Sequence, residues 1–183
     1  MTSQPERERP SDEANRKQLA IAQREGAAYQ EALHVMATEV ANTGGTQRAG
    51  DYIVGFAQER AEGMYQLRGP GQLEWAEPEE ENCHLEVSVS DAGDGRFIPY
   101  LTVHATLKKD SGEQVGPVEV PFLWHPGLYH YGLNLKVPGD GKYTLTVQID
   151  PPTFMRHDQV NGKRYADPVE VTFENVQLKT GHE

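Results

Sequence analysis

A mainly β chain, folded as an antiparallel sandwich of about seven strands behind an N-terminal α-helical extension, is what the sequence predicts. Three observations carry this. Beyond Gly50, short runs rich in Val, Ile, Tyr and Phe recur with Gly, Pro, Asp and Asn between them, and none has a helical period. Gly139-Asp140-Gly141 and Lys108-Lys109-Asp110-Ser111-Gly112 supply hairpin turns between such runs. Before Gly50 the pattern reverses, with apolar residues spaced i, i+3, i+4 and i+7.

Taken in order, residues 1–12 (MTSQPERERPSD) hold almost nothing to bury and read as a disordered tail. Residues 13–45 form the helical extension. Ile21, Ala28, Tyr29, Ala32, Leu33, Met36 and Val40 share one face, Ser11 or Asp12 can cap the start, and Asn42-Thr43-Gly44-Gly45 can stop it. Gly26 should weaken the middle by up to about 1 kcal/mol relative to Ala. The apolar face needs a partner, either the main domain or a second subunit. The main domain spans 50–180, with strands expected at 51–58, 83–91, 98–108, 115–124, 131–137, 142–150 and 168–177. Alternation is cleanest in the sixth, where Tyr143, Leu145, Val147 and Ile149 share a face.

The chain of 183 residues suits one domain plus an extension. A formal charge of -11 argues against nucleic-acid binding, which needs basic patches to meet phosphate. One cysteine, Cys83, excludes an intramolecular disulfide and predicts a buried, inert thiol. No apolar run approaches the roughly 20 residues of a membrane-spanning helix, so no direct membrane insertion is expected. No apolar signal core follows the polar start, so the chain as written is expected in the cytoplasm; a leader replaced by a starting Met would read the same.

His84-Leu85-Glu86 is the most informative motif. Residues two apart on a strand point to one face, so an imidazole and a carboxylate project side by side. That is half of a borderline metal site, and His130 and His157 are the candidates to complete it. Taken alone, a His-x-Glu pair is more often a solvated strand face.

From His84 onward the chain resembles the periplasmic iron-transport proteins, immunoglobulin-like sandwiches that bind copper or other divalent metals and accompany a high-affinity iron permease. The residues that carry the resemblance are His84-Leu85-Glu86, Phe97-Ile98-Pro99-Tyr100-Leu101-Thr102, His130-Tyr131-Gly132 with Asn134-Leu135-Lys136, Gly141-Lys142-Tyr143, Ile149-Asp150-Pro151-Pro152 and His157-Asp158. It runs from about Asp51 to the end. It implies an immunoglobulin-like fold, a periplasmic setting, a homodimer, and His84, Glu86, His130 and His157 as metal ligands. A methionine expected seven residues before His130 is Leu123 here, which offers no donor, and His125 two residues on can substitute. A further family methionine is matched by Met64. His125 also reads as an ordinary loop residue, and Met64 as core filler.

Imidazoles with a carboxylate suit Fe(II), Cu(II), Zn(II) or Mn(II), and affinity alone favours copper. The function expected is metal binding in iron uptake or hand-over to a permease. A non-catalytic interaction module with a vestigial metal site is the alternative, and a copper or iron metalloenzyme the third. No phosphate loop, Gly-x-Ser-x-Gly elbow or pair of cysteine couples speaks for an enzyme.

Overall fold

A computed structural model of the chain describes residues 7–183. The elements run α1 (Arg16–Val35), a π-helical turn (Met36–Val40), then β1 (Thr43–Ala49), β2 (Tyr52–Glu59), β3 (Met64–Gly69), β4 (Gln72–Ala76), β5 (Cys83–Asp91), β6 (Val103–Lys109), β7 (Gln114–Glu119), β8 (Phe122–Leu123), β9 (His130–Leu135), β10 (Gly141–Ile149) and β11 (Val169–Leu178). One sheet has the order β1-β2-β5-β9-β8, a second β11-β10-β6-β7, and β3-β4 form a separate hairpin. All named strand pairs are antiparallel. The core lies between the two larger sheets. Leu85, Val87 and Val89 of β5 meet Leu107 of β6 and Leu145 and Val147 of β10, and the Phe56 and Phe173 rings cross the gap with centroids 4.6 Å apart. No described helix is long and apolar enough to cross a membrane.

The sandwich and the helix are as expected, but there are more strands than seven. The expected helix stop is largely β1, which pairs along its whole length with β2 despite Gly44 and Gly45. The hairpin β3-β4 went unread. Residues 115–124 divide between the two sheets as β7 and β8. Asn15, rather than Ser11 or Asp12, caps α1, in a reciprocal box with Gln18. Residues 1–6 of the expected disordered tail lie outside the described residues. Beyond them the chain is held: Glu8 pairs with Arg164, Arg9 N–H donates to Asn161, and the Ser11 hydroxyl donates to Asp158.

α1 covers the outer face of its own five-stranded sheet. Leu33 and Met36 pack on Ala57 and Leu128, while Tyr29 Oη lies 2.9 Å from Ser88 Oγ and Gln30 donates to Ser90 Oγ at 2.8 Å. The packed stripe is thus Gly26, Tyr29, Gln30, Leu33 and Met36, and Ile21 and Val40 are exposed. Gly26 is there for space: a Cβ would stand 1.9 Å from the Asp94 carbonyl oxygen. Backbone cannot yield as a side-chain tip does. Gly26→Val is therefore expected to lift the helix and destabilise the protein by about 1–3 kcal/mol. Thermal denaturation reads this, and an unchanged midpoint would mean that the helix does not dock there.

Candidate metal centre

Strand alternation builds the site. On β5, Cys83, Leu85 and Val87 enter the core, which leaves His84 and Glu86 on the other face. Register supplies the rest: β9 places Gly132 opposite Glu86 and Asn134 opposite His84, and β2 places Glu59 opposite His84. His130, at the start of β9, comes onto the same face. His84 is 0% exposed, His130 1% and Glu86 5%. One donor atom from each lies within 4.8 Å of the others.

The hydrogen-bond network fixes which atoms face inward. Asn134 Nδ2 donates to the Glu62 carbonyl at 2.8 Å, so its Oδ1, 3.0 Å from His84 Nδ1, is the acceptor. His84 therefore carries its proton on Nδ1. His130 Nδ1 lies 3.2 Å from the Leu128 carbonyl, which can only accept, so that ring has the same tautomer. Both Nε2 atoms are left as bare lone pairs, buried and without a hydrogen-bond partner. They point at Glu86 Oε1, 3.7 Å from His84 and 3.1 Å from His130. Three acceptors converging at a buried point repel one another unless a proton or a cation sits among them. Gly132 keeps that space clear, since a Cβ there would lie 3.2 Å from His130 Nε2 and 3.4 Å from His84 Nε2. The residues fit a divalent ion. For donors about 2.1 Å from a tetrahedral ion, the donor–donor edge is about 3.4 Å, close to the spacings found.

Electrostatics agree with this. Burial is the largest influence on His84 and pushes its pKa down, favouring the neutral ligand form over the pull of Glu86 and Asn134. Burial pushes Glu86 upward, while the His130, His84 and His125 rings hold the carboxyl below its usual range only in forms where a ring proton faces it; in the neutral Nδ1–H tautomers that proton is missing and a cation is needed in its place. Cys83 faces the core, and burial pushes its thiol up to about 12, so it is inert.

Glu59 behaves oppositely: burial first, then Glu86, Glu62 and Glu183, raise its pKa to about 7. A raised folded value means stability that is present at low pH and lost as pH rises through about 7. Metal-free Glu59→Gln should therefore match the wild type near pH 5 and exceed it in thermal midpoint above pH 7. A gap that shrinks as pH rises would contradict this.

The structure does not bring His157 to the cluster. Its side chain is 91% exposed and pairs with Glu13 at 3.1 Å. The loop that carries it is anchored where Arg164 meets Asp91, at the far end of β5. That is seven residues from His84, or roughly 23 Å of strand. His157 is thus corrected as a ligand within one chain. His125 lies beyond β8 in a loop, its ring 5.8 Å from that of His130 and its Nδ1 accepting from Gly127 N–H. Leu123 stands opposite His130 in register, so the position expected to hold a methionine does adjoin the site. Met64 opens β3 and lines a cleft of about 980 Å³ with Trp75, Phe122, Trp124, His125 and Asn134. The sequence reading missed Asn134, Gly132 and Glu62, whose Oε1 lies 3.4 Å from His84 Nε2. Their place in the His130-Tyr131-Gly132 and Asn134-Leu135-Lys136 motifs was the signal available for the first two.

Known proteins resemble the chain in sequence and in fold. The family model described as Fe2+ transport protein matches residues 69–179, more than half of the chain. A UPF0423 protein of Brucella abortus (strain 2308) is 30% identical over 118 residues, which cover 55% of this chain and 63% of that protein. The 34 kDa membrane antigen of Treponema pallidum (strain Nichols) is 29% identical over 120 residues, covering 55% of this chain and 57% of its own. The matched part is thus less than two thirds of either relative's length. Two solved structures share the fold. FetP of uropathogenic E. coli strain F11 is 24% identical with a TM-score of 0.60, over 75% of this chain and 94% of its own. A copper-bound variant of Campylobacter jejuni P19 is 17% identical with a TM-score of 0.61, over 75% and 96%.

Proposed function

The chain belongs to the Fe2+ transport protein family, and we propose that it binds one divalent metal ion as cargo at His84, Glu86 and His130, for iron uptake. One observation carries this reading: two buried imidazole Nε2 lone pairs and a buried carboxylate oxygen converge with no hydrogen-bond partner for either nitrogen. The ion neutralises a repulsion already built into the fold. Asn134 and the Leu128 carbonyl hold both rings in the ligating tautomer, and Gly132 keeps the space between them open.

The donor set does not exclude copper, and by the Irving–Williams order Cu(II) should bind more tightly in vitro than Fe(II). Copper-bound forms of P19 support that expectation for this fold. Three donors leave coordination positions open, which suits capture and release to a permease rather than storage. Outside the cytoplasm, as the family resemblance implies, is where we place this work. A homodimer is the assembly proposed, because an exposed His157, remote along β5, reaches a centre of this kind only from a second copy.

The test is to purify the protein from its native host, measure bound metal, and titrate the stripped protein with Fe(II) under anaerobic conditions and with Cu(II). One ion per chain, with Cu(II) the tighter, is expected. A protein that arrives metal-free and takes up neither ion would overturn the reading.

A further inference from the structure

Among the described residues, a second acidic group adjoins the first: Glu59, Glu62 and Glu183 bring carboxylate oxygens within 4.8 Å of one another. Glu62 belongs to this group and also touches the inner one, with Oε1 3.4 Å from His84 Nε2. Its backbone is pinned. The Glu62 carbonyl accepts from Asn134 Nδ2, the amide that also sets the His84 tautomer. On its other side Ala61 N–H donates to the Gly181 carbonyl, and Glu183 N–H donates to the Ala61 carbonyl. The side chain, by contrast, is 34% exposed and lies between the inner and the outer group. The strand on the other flank gives no donor, since Leu123 stands opposite His130.

We propose that Glu62 is the fourth ligand from the same chain, a partly exposed carboxylate that covers an ion seated on His84, Glu86 and His130. The inference rests on the metal-binding reading above. Within one chain it makes the donor set two imidazoles and two carboxylates, a hard set that favours Fe(II) and Mn(II) relative to Cu(I). The fully buried His84 Nε2, without a hydrogen-bond partner and facing Glu62 as well as Glu86, is the observation that separates this from a cluster of surface acids. The 3.4 Å separation is close to the edge of about 3.4 Å between donors on one tetrahedral ion. Because Glu62 also belongs to the outer group, the same carboxylate can meet an arriving cation there and carry it inward.

The test compares Glu62→Gln with Glu183→Gln in the full chain. Both remove one negative charge from the outer group, but only the first removes a ligand. Anaerobic Fe(II) titration and the visible spectrum of bound Co(II) are the readouts. Glu62→Gln should weaken Fe(II) by at least about tenfold and alter the Co(II) bands. Glu183→Gln should keep the wild-type Co(II) spectrum, with a smaller loss that high salt erases. Glu62→Met should shift preference toward Cu(I). Wild-type-like binding and spectrum in Glu62→Gln, or an equal loss in Glu183→Gln, would overturn the assignment while leaving the three-residue site standing. A wild type that binds neither Fe(II) nor Co(II) would remove both.

Discussion

His130→Ala is expected to lower Cu(II) and Fe(II) affinity by tens of fold or more. It removes a ligand whose Nε2 lies 3.1 Å from Glu86 Oε1. His84→Ala removes the other imidazole, 3.7 Å from the same oxygen, and should cost a comparable amount. The ion loses one of three converging donors in either variant. His157→Ala separates the sources of ligands: its side chain is solvent-exposed, so a monomer loses none, whereas the proposed dimer loses the one its second copy supplies. Competition titrations against a chromophoric chelator, run on all three variants, measure the order. Wild-type-like titration by both His130→Ala and His84→Ala would dispose of the site. Fold loss is separated by the thermal midpoints of the metal-free proteins.

Much of this was legible in the chain because strands advertise themselves through alternation. β5, β6, β10 and β11 carry apolar residues at two-residue spacing, and the Gly139–Gly141 turn marks where β10 begins. β1 (TGGTQRA) has neither signal, and its strand state comes from pairing with β2, a case of tertiary context overriding propensity. The β3-β4 hairpin hid for a different reason. Tyr65, Leu67, Leu73 and Trp75 are all more than half exposed, so there is no buried face whose pattern could be read. In the site, His84 and Glu86 were readable as same-face neighbours on one strand, and His130 through its resemblance context. His157 could not be resolved by either, since spacing along a loop does not say to which end of a sandwich the loop is tied. Arg164 and Asp91 decide that. Glu62 left no trace in the pattern, because its role depends on Asn134, 72 residues away, holding its backbone.

Gly132→Ala tests the centre by volume instead of charge, and about a tenfold loss of affinity is the expected result. The added methyl removes no ligand and changes no hydrogen bond. It places a carbon 3.2 Å from His130 Nε2, tight enough that this ring must give by a few tenths of an ångström, and 3.4 Å from His84 Nε2, at the edge of ordinary contact. In a metal-free protein that shift is minor, because both rings are tethered at Nδ1 and their Nε2 atoms bond to nothing. With an ion present the same shift is costly, since metal–nitrogen bonds of about 2.0–2.1 Å tolerate deviations of only about 0.2 Å. Binding should suffer while the fold does not. The variant's metal-free thermal midpoint should stay near that of the wild type, and the stabilisation gained on adding Cu(II) should shrink. Were these imidazoles merely packed core residues, the methyl would lower the midpoint and leave metal uptake unchanged, the reverse of what a preformed ion site requires.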